Sequence, residues 1–527
     1  MRKQLRTGDV AIAPLPGGGF GACQVSGFDG ESVVVHALDW FSPEPPRLDD
    51  LHGAGPAILR RHRFREPIAQ TSVAPRYHPL PPDFTWLGNL PVPAGVPTDV
   101  NSISTWDWPL IAVVLDRAWA DLPAEVRDAY RLSRGADPVT VDLGDGPRVE
   151  TAALGVLDLA SYPVGRPVDW SVLERLPRCT QIRWSGPDRG LTAALERHPL
   201  IGSLVWFDAP ETVDLSRTRV VHLTIRGDAL RELNLPPRFR NLAIDGIASA
   251  RTVHAPDDGR WLHLNLFEAT PATVAPTGLS QVRSLSIDGA GVLPAGVVTA
   301  FPQTHTLTLR RSSAPGRLDT PAALTELPGL RLLTMLDAYA LDAETFPDLP
   351  LDNLVIDGLR ASTARDLRTR FRRSPVTLRL SGAKADRWLA TNMDNPFRDW
   401  SDDNTRAGAA ACRAYATALR ALDALPRLAP PPPTSAGQAA GARPSTSARE
   451  TGSRPSTDAA AVAHPAIAAV EPVLRELVDK LNALDEKFDI IDTIRREEAG
   501  DAFMALAARA GIPTTLADEW FDTWRDF

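Results

Sequence analysis

The side chains best suited to chemistry in this chain of 527 residues are three cysteines, Cys23, Cys179 and Cys412, and ten histidines. A nucleophile needs a base within reach, and a metal needs several ligands at workable spacing. The cysteines form no C-x-x-C pair, and neither His52 with His62 nor His222 with His263 sits in a local ligand pattern. There is no H-E-x-x-H, G-x-S-x-G, Walker or dinucleotide-binding motif. The expectation is a protein that is not an enzyme, with no catalytic residue, no metal and no cofactor. What remains is recognition chemistry, hydrogen bonds and ion pairs from His222, Thr224, Arg226, Asp245, Asn265, Asp288, Arg310, Asp357 and Arg379.

Those nine stand out because of what flanks them. Two apolar residues with one residue between them recur at Leu157/Leu159, Ile182/Trp184, Leu204/Trp206, Leu223/Ile225, Leu242/Ile244 and Leu264/Leu266. The series continues at Leu285/Ile287, Leu307/Leu309, Leu333/Met335, Leu354/Ile356 and Leu378/Leu380, with successive pairs 19 to 26 residues apart. An extended strand sends such a pair to one face and the residues between and beside it to the other. The second face then carries the nine candidates, together with Asn241, His263, Ser284 and Thr308.

One such unit cannot bury its apolar pair alone, so the pattern predicts eleven strands stacked against one another, with return segments such as Leu324, Leu327 and Leu330 closing the core. Three units are worded alike, NLAIDG from Asn241, SLSIDG from Ser284 and NLVIDG from Asn353. The glycine after each strand is expected to turn the chain with positive φ.

Residues 151–385 resemble the leucine-rich-repeat family, although the Asn or Cys that the family places after the strand is mostly missing. The resemblance implies an α/β leucine-rich-repeat-like solenoid with parallel strands on the concave face, where a protein partner docks. DNPFRDW from Asp394 is similar to a closing segment of bacterial members. A leucine-rich-repeat ubiquitin ligase would place a catalytic cysteine in a helical domain after the repeats, roughly where Cys412 lies. Its context, AAACRAYA, lacks the Asp two residues on that such ligases use, and an Ala-flanked Cys in a helix is expected to be a small buried hydrophobe.

The flanks divide by composition. Residues 1–64 read as a small SH3-like β-barrel with strands at Val10/Ile12, Ala22 to Val25 and Val33 to Val35, joined through Gly17 to Gly19 and Asp29-Gly30. GDVAIAPLPGGGFG is similar to the opening of bacterial immunity proteins of the twenty-sixth class, which implies toxin neutralisation as an alternative function. Residues 65–150 are rich in Pro and Trp and read as a connecting and N-capping region, with LIAVVL from Leu110 as an apolar strand beside Trp106 and Trp108. A C-terminal cap helix is expected in 386–425, a disordered Pro/Ala/Ser linker in 426–463 and a helical tail in 464–527.

In that tail, Leu474, Leu477, Leu481, Leu484, Phe488 and Ile491 form a seam on a helix expected to begin near Pro472 and end at Gly500. The seam suits self-association through the 474–491 helix, or packing on two further helices carrying Phe503 and Leu506, and Leu516, Trp520 and Trp524.

A net charge of −8, from 57 basic and 65 acidic residues, lacks the positive excess of a nucleic-acid binder, so no nucleic-acid partner is expected. The odd number of cysteines implies a reducing compartment. Asp9, Pro14 and Pro16 interrupt any signal-peptide core, and the longest apolar run, near Pro109 to Leu115, is far too short to span a bilayer. The expected location is cytoplasmic, without membrane insertion.

Overall fold

The computed structural model describes residues 4–425 and 465–527, apart from 61–66, 76, 77, 79, 101, 164, 247, 248, 290, 291, 294, 312–316 and 319. The expected linker, 426–463, lies outside the described residues. The chain divides into two compact units, Met1–Ala385 and Asp386–Phe527.

The first unit opens with β1 (Asp9–Pro14), β2 (Phe20–Asp29), β3 (Ser32–Ala37), β4 (Gln70–Val73) and β5 (Thr85–Asn89). These form one antiparallel sheet in the order β4-β3-β2-β1-β5. The first three strands lie where the alternation predicts them. The closed barrel is not seen: β4 and β5 are the two ends of the sheet and do not pair among the described residues. Both come from beyond residue 64, so the sheet draws on the segment expected to be a connector.

Helix α1 (Trp108–Ala120) covers this sheet and corrects the expectation of a strand at LIAVVL. Pro109 suits the first helical turn, and Leu110 and Val113 fall on one helical face buried against the sheet, whereas Trp119 packs in a separate cluster with Leu122 and Tyr130. Tertiary packing of that face overrides the β preference of the Ile-Ala-Val-Val run. Trp106 is fully buried against Trp86 and donates from Nε1 to the His78 carbonyl at 2.8 Å.

A short hairpin, β6 (Val139–Asp142) and β7 (Pro147–Glu150), leads into the main sheet, and Val141 and Leu143 join its core. That sheet is built from β8 (Val156–Leu159), β9 (Gln181–Ser185), β10 (Ser203–Phe207), β11 (His222–Ile225), β12 (Asn241–Asp245) and β13 (His263–Ala269). It continues with β14 (Ser284–Gly289), β15 (Thr306–Arg311), β16 (Leu332–Met335), β17 (Asn353–Asp357) and β18 (Thr377–Ser381). All eleven are parallel, and each pairs with its predecessor in chain order.

The register aligns the apolar pairs strand for strand, Leu223 with Leu242, Leu264 and Leu285, and Ile225 with Ile244, Leu266 and Ile287. Ten of the eleven pairs are buried, and the last, Leu378/Leu380, is half-buried on the edge strand. The buried indoles are satisfied: Trp184 Nε1 donates to the Pro187 carbonyl at 2.9 Å and Trp206 Nε1 to that of Gly186 at 2.8 Å. Between β10 and β13 the connections add a second parallel sheet, Thr212–Asp214, Glu232–Asn234 and Thr252–His254, whose Val213, Leu233 and Val253 close the same core.

The glycines after the strands need a different explanation from the one their position suggests. Gly358 has φ 72°, as expected, but Gly246 and Gly289 are not among the positive-φ glycines. They are required by close approach: a Cβ on Gly246 would lie 2.8 Å from Ala269 Cα, and one on Gly289 would collide with the Ala269 carbonyl oxygen.

The second unit is helical, with α2 (Thr405–Asp423), α3 (Pro465–Phe488), α4 (Thr493–Arg509) and α5 (Thr514–Trp524). Helix α3 begins seven residues before the expected Pro472, which lies inside it. Gly500 ends no helix but sits within α4, where its missing side chain lets Phe521 pack close. Leu474, Leu477 and Leu481 are buried against Phe397, Trp400, Cys412, Phe503 and Leu506, so of the two expectations for the seam these leucines follow the packing within the unit, while Leu484, Phe488 and Ile491 are partly buried.

The same core corrects the expected division between a cap at 386–425 and a separate tail. Trp400 Nε1 donates to Glu498 Oε2 at 2.7 Å, and Arg509 pairs with Asp423 at 2.8 Å. Residues on both sides of 426–464 therefore build one hydrophobic interior. A chain cut by an inserted protease site within 426–464 is expected to keep its two pieces together through native size-exclusion chromatography and to release them only in denaturant. Separate elution in native buffer would contradict the shared core.

One titratable group of the N-terminal sheet, His36, bears on stability at mildly acidic pH. His36 on β3 is fully buried between its cross-strand neighbours Gln24 and Gln70, and neither ring nitrogen has a hydrogen-bond partner among the described residues. Burial pushes its pKa down from 6.5 to about 4. As pH falls, the unfolded chain binds this proton first, so stability is full above about pH 6.5 and declines towards pH 4, by roughly 3 kcal/mol. Denaturant melts at pH 7.5 and 5 should show this loss in the wild type and a smaller one in His36→Val; equal losses would rule out His36 as their source.

Candidate functional site

The outward face of the main sheet is organised in three rows by the strand register. The first row runs His222, Asn241, His263, Ser284 and Thr306 on β11 to β15. The middle row runs Thr224, Ala243, Asn265, Ser286 and Thr308. The third, at the C-terminal ends of the strands, carries Arg226, the pair Asp245 and Phe267, and the pair Asp288 and Arg310, and is interrupted by a bulge between Leu266 and Ala269. Neighbouring strands are about 4.8 Å apart, so these five strands span about 20 Å.

Seven of the nine predicted residues are thus brought onto five adjacent strands. Asp357 and Arg379 lie farther along, on β17 and β18, beyond the mostly aliphatic β16. Local contacts differentiate the group. His222 Nδ1 lies 2.6 Å from Asn241 Nδ2, and His263 Nδ1 lies 2.6 Å from Ser284 Oγ, so the first row is a cross-strand polar ladder. Partial burial, with Arg240 nearby, lowers the His263 pKa, which keeps that imidazole neutral at neutral pH.

The sequence places Arg226 beside Asp245, but the two do not pair. Arg226 Nη1 reaches to Glu268 Oε1 at 2.8 Å, and its guanidinium lies over the Phe267 ring at 4.6 Å, with Phe207 at 5.9 Å on the preceding strand. Asp245 instead faces Arg251 Nη1 at 3.0 Å, a contact with ion-pair distance but not hydrogen-bond alignment. Arg251 is 5% exposed and also donates to the carbonyls of Asp245, at 2.6 Å, and Gly227, at 3.3 Å. Burial lowers the Arg251 pKa, and Asp245 opposes that shift.

Sequence reasoning passed over Phe207, Phe267, Glu268 and Arg251. The two phenylalanines follow their apolar pairs directly and were readable from the same alternation that gave Arg226. Arg251 carries no such signal, because it comes from a connection outside the strand pattern. Asn265 Oδ1 has no hydrogen-bond partner among the described residues, Thr224 and Thr308 are half-exposed, and Arg310 is exposed.

The opposite ends of the strands are covered. Arg240 pairs with Asp107 at 3.5 Å, and Arg260 pairs with Asp83 at 3.2 Å, while Arg283 contacts the same Asp83 carboxylate. The N-terminal module thereby lies along the strand starts. Close by, burial together with Arg283 and Arg331 pushes the His305 pKa down to about 4.

The three cysteines are buried and free of disulfides. Burial raises the Cys23 thiol to about 12 and that of Cys179 to about 11. Cys412 is 1% exposed in the helical core, which is not the setting of an accessible nucleophile. Comparison with known protein families, with curated proteins and with solved structures finds no match.

Asp245 is therefore a supporting residue as much as a contact residue. Asp245→Ala leaves a buried guanidinium without its counter-charge and is expected to cost about 3 kcal/mol in denaturant unfolding. Adding Arg251→Met should recover much of that loss. A single variant as stable as the wild type would show that the pair contributes nothing.

Proposed function

We propose that the protein is a recognition scaffold that binds another protein on the outward face of its eleven-stranded sheet. The observation carrying this reading is the strand order, which repeats one parallel strand unit eleven times in chain order and brings Thr224, Arg226, Asn265, Asp288 and Arg310 to the same side of five adjacent strands. In this reading the sheet is the concave side of a leucine-rich-repeat-like solenoid, and the N-terminal module caps the strand starts. Repeat arrays suit this work because neighbouring units present a long, rigid surface with small ordering costs on binding.

The face mixes stacked arginine and phenylalanine with polar side chains, the composition of a protein contact more than that of a small-molecule pocket. Among the described residues no helix is long and apolar enough to cross a membrane. The cytoplasmic assignment belongs to this proposal and is supported by three cysteines that are all free and buried.

A photoreactive residue at Thr224 or Thr308, on the face, is expected to crosslink one and the same protein in native lysate. The same group at Ser216, exposed on a connection away from the face, should not. Equal capture from all three positions, or none from the face, would overturn the scaffold reading.

A further inference from the structure

The helix Ala361–Phe371 joins β17 to β18, and its Ala364 and Leu367 are buried in the core of the main sheet. It therefore lies on the side of that sheet opposite the recognition face. Residues 360–384 carry eight basic side chains against the single carboxylate of Asp366, a local excess of positive charge in a chain whose net charge is −8.

The arginines of this segment divide into two kinds. Arg360 and Arg370 hold the helix to the preceding unit: Arg360 Nε donates to the Tyr339 carbonyl at 3.0 Å, and Arg370 donates from Nη1 to the Ala343 carbonyl at 3.0 Å and from Nη2 to Asp348 Oδ1 at 2.5 Å. Arg365, Arg368, Arg372 and Arg373 are exposed, and none has an ion pair or a side-chain hydrogen bond among the described residues. The first three are spaced i, i+3 and i+7, with Arg372 at the C-cap still in helical conformation, so they form one stripe along about 10 Å of helix. Like charges at those spacings repel, and no carboxylate among the described residues pairs with them.

We propose that this stripe binds a short acidic segment of a protein partner, with Glu or Asp side chains paired to Arg365, Arg368 and Arg372, and Arg373 flanking them. Guanidinium groups suit carboxylates because the planar fork donates to both oxygens at once. A phosphate polymer fits less well, because the stripe is short and the rest of the chain, being net acidic, repels a long polyanion. The stripe is separate from the outward face of the sheet, so either surface can fail its test without the other.

The test uses the full chain and a fluorescein-labelled hexaglutamate peptide, followed by fluorescence anisotropy at low salt. A hexaglutamine peptide with the same label, an oligothymidine and phosphatidylglycerol vesicles are measured beside it. Hexaglutamate is expected to bind saturably and hexaglutamine not at all. Arg365→Gln/Arg368→Gln/Arg372→Gln should weaken hexaglutamate about 10-fold. Arg406→Gln/Arg413→Gln/Arg420→Gln, which removes the same charge from exposed positions of α2, should leave the affinity unchanged. Absence of saturable hexaglutamate binding, an equal loss in the two triple variants or none in the first, or tighter binding of the oligonucleotide or the vesicles would each overturn the assignment. Should the first triple variant not fold, the single Arg368→Gln, expected to weaken hexaglutamate about 2-fold, decides in its place.

Discussion

The main sheet depends on one constraint: no strand can bury its own apolar pair without the strand on either side. Leu264 and Leu266 are removed from water by Leu242 and Ile244 before them and by Leu285 and Ile287 after them. Stability in such an array is a sum over neighbouring interfaces, so every unit must keep the same register even where its connections differ. This explains why the three-residue strand centres are nearly invariant in character while the spacing between them drifts from 19 to 26 residues. Connections can lengthen at little thermodynamic cost, whereas a one-residue slip would turn the leucines outward.

That constraint also decides how much was legible. The eleven strands, their parallel order and the division into buried and outward residues follow from a pattern of period two repeated many times, which one sequence displays plainly. Features set by a single tertiary contact do not repeat and left no such trace. The run LIAVVL forms a helix because one of its faces meets the N-terminal sheet, which its β-branched residues do not announce. Gly500 stays inside a helix because Phe521 needs the space. Residues 386–425 and 465–527 share an interior although an apolar-poor stretch separates them in sequence. Composition marks where a core is absent; it does not say which flanking segments meet across the gap.

The candidate site was legible in position but not in partnership. Alternation places Arg226 and Asp245 on neighbouring strands of the outward face but does not say what either one pairs with. The structure gives Arg226 to Glu268 and Asp245 to Arg251, and both new partners come from beyond the regular strand positions. The face therefore has two kinds of polar residue. Some stabilise the array, as Asp245 does for a buried guanidinium, while others, such as Thr224, Thr308 and Arg310, are exposed to solvent to a degree that leaves them accessible. At the strand starts, Asp83 and Asp107 already engage Arg240, Arg260 and Arg283, so approach to the sheet is left to its face and its C-terminal ends.

Backbone strain points to the same end of the strands. Two residues beyond the second member of the apolar pair, Gly186, Gly358 and Gly382 adopt positive φ without difficulty, but Asp208, Glu268 and Asp337 occupy the same position, with φ between 52° and 56°. A residue with a Cβ loses roughly 1 kcal/mol or more in that conformation relative to glycine. Two of the three carboxylates show what is gained: Asp208 accepts from Ser185 Oγ at 2.8 Å, and Glu268 holds Arg226 against Phe267. Glycine would relieve the strain and lose both cross-strand contacts. At these corners the acidic side chains therefore exchange backbone strain for contacts that fix side chains of neighbouring strands, Ser185 in one case and the Arg226 stack on Phe267 in the other.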